Sequence, residues 1–141
     1  MPEILRTWLP HLMDYSDEFW KSIEETLQML LLSGLFSFAA GLILGIALVV
    51  TREGNILENK VIHQIIDKAV NLFRSIPFVI LITALIPLTK LIVGTFIGVK
   101  GAIFPLVVGC TPFFIRQVDM ALTDIDNGLI EAAQSMGISV K

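Results

Sequence analysis

The chain has 141 residues, 55% of them apolar and 16% charged, with a formal net charge of −3 and a mean hydropathy of +0.79. A soluble domain carries roughly 25% charged residues, so this composition excludes an ordinary soluble fold and predicts an all-helical, polytopic integral membrane protein. No basic stripe is present to bind nucleic acid, and the single cysteine, Cys110, permits no internal disulfide.

In chain order, residues 1–21 read as an extracytoplasmic or interfacial segment and residues 22–141 as the transmembrane domain. Met1-Pro2-Glu3 offers no basic stretch of the kind that opens a cleaved signal, so the first apolar run is expected to be a mature span. Ile4, Leu5, Trp8, Leu9, Leu12 and Met13 recur at helical spacing, interrupted by Pro10, and predict a short surface-lying segment. Ser16 has the chemistry of an N-cap, Asp17 and Glu18 suit a first turn, and Phe19 and Trp20 suit an aromatic belt. His11 and His63 have no ligand spacing around them and read as interfacial or loop residues.

Thr26 to Thr51 is 26 residues without a charge. As a helix it reaches roughly 39 Å, more than the ~30 Å hydrocarbon core. Its Gly34, Ser37, Gly41 and Gly45 fall near one face, and Gly41 and Gly45 have GxxxG spacing. Small residues let another backbone approach closely. That partner is either another span of this chain or a second subunit.

Arg52-Glu53-Gly54-Asn55 reads as a turn, followed by a helix over residues 56–73 with apolar residues at 57, 61, 65, 69 and 72. The second apolar run, Ser75 to Thr89, is 15 residues long. The span is therefore expected to begin within residues 70–73 and to take in Arg74, whose long side chain snorkels. Residues 89–100 read as a loop, with Gly94, Gly98 and Gly101 inviting a dip back into the membrane. Within it, Gly94 to Lys100 (GTFIGVK) superficially resembles a phosphate loop, but the spacing is wrong and no Ser or Thr follows the lysine. The third run, Gly101 to Ile115, closes at Arg116, with Gln117, Val118 and Met120 available to extend it.

Pro77, Pro87, Pro105 and Pro112 each remove an N–H and free the carbonyl four residues earlier. Such helices normally face protein or a water-filled path. Pro77, Pro105 and Pro112 are the candidates for kinks lining a path, and a static kink fitted to the bundle is the other reading. Six cations, Arg52, Lys60, Lys68, Arg74, Arg116 and Lys141, stand against Arg6, Lys21, Lys90 and Lys100. That bias favours a cytoplasmic 51–74 loop and tail, with the N-terminus outside.

Residues 121–139, ALTDIDNGLIEAAQSMGIS, predict a short helix over 128–136. Asp126 or Asn127 caps it, Glu131 suits its first turn, and Leu129, Ala132, Ala133 and Met136 form one small apolar face. Gly137 is placed as the left-handed residue after the last turn. About nine residues, roughly 14 Å, cannot span a membrane.

Glu131-Ala132-Ala133-x-x-x-Gly137 resembles the first half of the EAA signature of binding-protein-dependent ABC importer permeases. Phe73-Arg74-Ser75-Ile76-Pro77-Phe78, Ile86-Pro87-Leu88-Thr89, Ile92 through Gly98 and Gly128-Leu129-Ile130 look like the methionine-uptake branch. The resemblance covers about residues 22–141. It implies a partial type 1 importer permease fold, about three transmembrane helices followed by a short cytoplasmic coupling helix, in a bacterial plasma membrane. It implies as partners a separate cytoplasmic ATP-binding subunit, a second permease copy and an extracytoplasmic substrate-binding protein, with no cofactor and no enzymatic activity in this chain. Glu131, Ala132, Ala133 and Gly137 are the residues it assigns to coupling. The sequence stops at Lys141, before the apolar residue and Leu-Pro that complete the signature, which leads to the expectation of an incomplete permease. A permease for another small solute, or a structural or assembly subunit of another membrane complex, is the alternative. A membrane-embedded enzyme lacks catalytic polar groups, since only Ser, Thr and Cys110 lie at membrane depth.

Overall fold

The computed structural model describes residues 15–125 together with Gly128, Ala132 and residues 135–137. The described residues form four helices: α1 (Ser16–Val50), α2 (Lys60–Ser75), α3 (Phe78–Val93) and α4 (Gly98–Thr123). Two of them, α1 and α4, are long and apolar enough to cross a membrane. The pair α2 and α3 makes a third candidate, bent by 110° at its break. The predicted surface segment with its Pro10 and His11 lies outside the described residues.

The first helix begins earlier than its uncharged run. Tyr15, not Ser16, occupies the capping position and makes no side-chain cap bond. Its carbonyl instead accepts from the Phe19 N–H at 2.9 Å, which draws Ser16 into the first turn. The helix is continuous across residues 21 and 22, so no structural break marks a division there.

At its other end the orphan carbonyls are all answered. Ala47 accepts from the Thr51 N–H and hydroxyl, and Val49 from the Asn55 side-chain amide and the Arg52 N–H. Val50 accepts from the Leu57 N–H at 3.0 Å. Leu48 accepts from His63 Nδ1 at 2.9 Å, and a carbonyl partner obliges that nitrogen to carry the proton. His63 is therefore a helix-end partner on α2 and not a loop residue. This capping work also explains why α2 starts at Lys60 and not near residue 56. Residues 56–58 are spent in the turn, and Asn59 caps α2 by accepting from the Val61 and Ile62 N–H groups.

The expected span beginning at residues 70–73 is broken. Pro77 forces its predecessor out of the helical region, and Ile76 is extended at φ −86°, ψ 125°. Helix α2 stops at Ser75, and the Pro77 carbonyl starts α3 by accepting from Ile80 and Leu81. Pro77 is thus a break between two helices rather than a kink within one. The 89–100 loop is also shorter than expected. Helix α3 runs on to Val93, and Gly94, left-handed at φ +85°, ends it by donating to the Lys90 carbonyl at 3.1 Å. Residues 94–97 then turn directly into α4, which extends past Arg116 to Thr123.

The central packing is α1 against α4. Along α1, Ser33, Ser37, Gly41, Gly45 and Leu48 are buried, and Ser37, Gly41 and Gly45 meet Val107, Phe114, Ile115 and Val118 of α4. A methyl on Gly41 would collide with the Phe114 side chain, and one on Gly45 would come within 2.6 Å of Val118 Cβ. The glycine face of α1 is therefore occupied by this chain's own α4. Ser37 Oγ donates across it to the Val107 carbonyl at 3.3 Å, and the Phe38 and Phe114 rings meet edge to face at 5.8 Å.

Gly34 does not take part, for a methyl there would meet no atom within 4 Å. The contact follows the i±4 ridge from Ser33 through Ser37 and Gly41 to Gly45, and such a ridge is inclined to the helix axis. Gly34, seven residues before Gly41, lies off it. Beyond the seam, Leu48, Val70 and Ile115, with Ile66 beside them, form a small core where α1, α2 and α4 meet.

Candidate coupling site

Above that core, at the end where α1 and α4 both terminate, polar groups from three helices converge. Arg52 follows α1, Asp67 and Asn71 lie on α2, and Arg116, Asp119 and Thr123 lie on α4. Positions 116, 119 and 123 share one face of α4 because they are three and four residues apart. Asp119 uses both carboxylate oxygens. Oδ1 accepts from Arg52 Nη2 at 2.6 Å and Oδ2 from Arg116 Nη1 at 3.1 Å. Arg116 Nη2 donates to Asp67 Oδ1 at 2.5 Å and to Asn71 Oδ1 at 2.7 Å. Arg52 Nη1 reaches the Thr123 hydroxyl at 3.0 Å, and the Asn71 amide holds Asp67 from its other side at 3.1 Å.

Asp119 is 7% exposed, whereas the Arg116, Asp67 and Arg52 side chains are 19%, 35% and 37% exposed, so this network of two cations and two anions is buried at Asp119 and opens to solvent at Asp67 and Arg52. Unit charges about 4 Å apart attract by about 4 kcal/mol at an effective dielectric of 20. Desolvating each ion costs several kcal/mol. The two effects are of similar size, so the network adds little net stability as a whole. Its weight lies in geometry, since loss of one member strands a buried partner charge. Beside it, an open groove of ≈ 670 Å³ is lined by Arg52, Gln117, Asp119, Met120, Thr123 and Asp124.

The stretch assigned to coupling follows directly. Helix α4 ends at Thr123, and the N–H of the capping residue Asp124 donates to the Met120 carbonyl at 3.1 Å. Gly128, Ala132 and Ser135 are helical and exposed, and the Met136 N–H donates to the Ala132 carbonyl at 3.1 Å. Gly137 then turns with φ +81°, the left-handed conformation expected of a glycine closing a short helix. Glu131 and Ala133 lie outside the described residues. Of the candidate kinks, Pro105 and Pro112 are buried in α4. Pro112 lines an apolar groove of ≈ 380 Å³ between α1, α2 and α4, and Pro105 lines a smaller one, ≈ 210 Å³, between α3 and α4. Pro77 lines neither.

The ion network escaped the sequence reading. Arg52 and Arg116 served there as the ends of apolar runs, and Asp67, Asn71 and Asp119 had no role. A signal was present: Asp119 follows Arg116 by three residues in a helix that does not stop at Arg116. Its partners Arg52, just after α1, and Asp67, on α2, however, lie 67 and 49 positions from their mates on α4, and no local pattern links residues so far apart.

No family model matches the chain. It is 50% identical over 117 residues to the D-methionine transport system permease protein MetI of Yersinia pestis, covering 83% of this chain and 54% of that protein. It is 48% identical over 120 residues to the methionine import system permease protein MetP of Bacillus subtilis, covering 85% and 54%. Among solved structures, two crystal forms of the inward-facing MetNI methionine ABC transporter share its fold. One superposes with a TM-score of 0.78 at 49% identity over 83% of this chain and 54% of that one. The other gives 0.82 at 46% over 87% and 58%. The chain spans about half the length of the curated relatives it matches. This multi-pass, all-helical membrane chain belongs to the family of ABC importer permeases represented by MetI and MetP.

Proposed function

We infer that this chain forms part of the translocation path of an ATP-driven methionine importer. The observation that carries the reading is 49% identity, at a TM-score of 0.78, to a chain of the MetNI methionine ABC transporter. Two permease copies line the path in the plasma membrane of a bacterium, and an extracytoplasmic binding protein delivers the solute. Two cytoplasmic ATPase subunits hydrolyse ATP, which this chain itself does not do. Residues 22–141 belong to the transmembrane domain and residues 1–21 to an extracytoplasmic or interfacial segment.

The mechanism is alternating access. Closure of the ATPase pair on ATP moves the coupling stretch, which includes Glu131, Ala132 and Ala133 and ends at Gly137. The proline-bent helices α3 and α4 reorient in response. The N-terminus is outside, and the 51–74 loop and the C-terminal stretch are cytoplasmic. The positive-inside bias supports this sense, and the meeting of the ends of α1 and α4 through Arg52, Asp119 and Thr123 supports one side for residue 52 and the C-terminal stretch.

The test is uptake of labelled methionine into proteoliposomes that contain the transporter assembled with its ATPase, with ATP enclosed and binding protein outside. ATP-dependent accumulation that other amino acids do not suppress is expected. Accumulation without ATP, or equal accumulation of unrelated amino acids, would overturn the reading. For the orientation, in a Cys110→Ser background, Asn55→Cys should resist impermeant thiol reagents in intact cells and Thr95→Cys should react. The reverse pattern inverts the topology.

A further inference from the structure

Helix α4 outlasts its seam with α1. Past Ile115 it runs two further turns to Thr123, the first of which still meets Gly45 of α1 through Val118, and these turns carry Arg116, Asp119 and Thr123 on one face. Every one of those side chains is bonded to another element: Arg116 to α2, and Asp119 and Thr123 to Arg52 after α1. Immediately beyond lies the stretch that ends at Gly137. A displacement of that stretch is therefore applied to the last two turns of α4. Without those bonds, the end of α4 past Val118 would bend and absorb it.

We propose that Asp119 and Arg116 are positioning residues for coupling, forming with Arg52 and Asp67 an ionic clamp that makes the end of α4 and helix α2 one rigid body. The proposal rests on the coupling role given above to the stretch ending at Gly137. Asp119 is the pivot, because one oxygen accepts from Arg52 just after α1 while the other accepts from Arg116 on α4 and so orients the guanidinium that reaches α2. Arg116 is the bridge, because one terminal nitrogen holds Asp67 and Asn71 of α2 while the other holds Asp119. Only a planar fork can serve those acceptors together, and a lysine ammonium in its place is a single mobile point charge. Since α2 ends at the Pro77 break, motion carried to α2 arrives at the start of α3, whose Phe78 packs against Gly109 of α4.

The experiment uses the assembled transporter in a Cys110→Ser background, with spin labels at Val61 and Met136, both exposed. Pulsed electron-resonance distances should give one narrow distribution in the parent, broad ones in Asp119→Asn and Arg116→Lys, and a narrow one again in Asp119→Glu. In the same preparations, ATP consumed per methionine transported should rise about tenfold in Asp119→Asn, within the usual range of coupling between sites, and return to the parent value in Asp119→Glu. An equally narrow distribution in Asp119→Asn would overturn the clamp. Broadening with an unchanged ATP ratio would overturn its part in coupling, as would a loss of assembled complex with no change of ratio in what remains. A parent with narrow distances but no ATP-driven uptake would defeat the methionine-import reading alone, since the label widths still decide the clamp.

Discussion

Between Ser33 and Gly45, α1 meets α4 through hydroxyls and missing side chains, whereas a few residues on, the same two helices are joined by Arg52 and Asp119. The difference follows from where each contact stands. At membrane depth, lipid is as apolar as leucine, so helices gain only from close van der Waals contact, and small residues supply it. Such a seam fixes how near the helices lie but resists sliding weakly. Ion pairs are directional and resist it, but they are tolerable only near the membrane edge. The chain thus places its directional bonds at the end that leads to Gly137 and its close contact in the middle.

The sharpest way to break this contrast is to remove the pivot. Asp119→Ala leaves Arg52 and Arg116 beside each other with no shared anion, and the expected loss is about 3 kcal/mol. It would appear as a drop in the temperature at which detergent-solubilised transporter loses its monodisperse form. The exposed pair Lys60–Glu53 has an N···O distance of 2.8 Å, but its side chains are 60% and 73% exposed. Lys60→Ala should cost less than about 1 kcal/mol. Equal effects of the two substitutions would mean that burial does not distinguish the clamp from a surface pair.

The seam is broken by volume rather than charge. Gly41→Val pushes a branched side chain into Phe114 Cβ and the backbone of Ile115. Overpacking of this kind costs about 2 kcal/mol. The same thermal measurement should register it, with a smaller shift than Asp119→Ala. A larger shift than Asp119→Ala would place the main tie between α1 and α4 at the seam.

What the sequence disclosed and what it hid divide along the same line. The long uncharged run, the GxxxG pair, the turn at 52–55 and the left-handed Gly137 are all properties of neighbouring residues, and the structure has each of them. The break at Pro77 was legible in principle, since proline restricts its predecessor, but the run of apolar residues on either side suggested continuity. Asn59 displaced residues 56–58 from α2 because the end of α1 needed the turn, a demand set by another element. The clamp lay furthest from view, since its partners become neighbours only after α1, α2 and α4 have packed.

A third test follows the clamp outward. Gly137 sits at φ +81°, where a side-chain-bearing residue costs about 1–2 kcal/mol. Gly137→Val should leave membrane insertion intact, because it lies beyond α4. In the assembled transporter, methionine uptake and substrate-stimulated ATP hydrolysis should fall together, with a thermal shift smaller than that of Gly41→Val. Normal transport by Gly137→Val, alongside abolished uptake in Gly41→Val, would remove this stretch from the coupling role.

The smallest effect is expected at Gly34, and it tests which rule governs the seam. Helical periodicity groups Gly34 with Gly41, seven residues on, and predicts that both are packing positions. The inclined ridge from Ser33 to Gly45 excludes it, and a methyl there meets no atom of this chain within 4 Å. Gly34→Ala therefore removes no contact, while alanine is the better helix former by about 0.5–1 kcal/mol in water. A helix already formed in the membrane before it packs realises only part of that gain. The expected outcome is a small rise in thermal stability, against a clear fall for the matched Gly41→Ala, whose methyl collides with the Phe114 side chain. A fall at Gly34 as large as that at Gly41 would mean that another protein surface covers this face in the assembled transporter. The glycine stripe would then serve two partners, α4 on the ridge and a neighbour beside it.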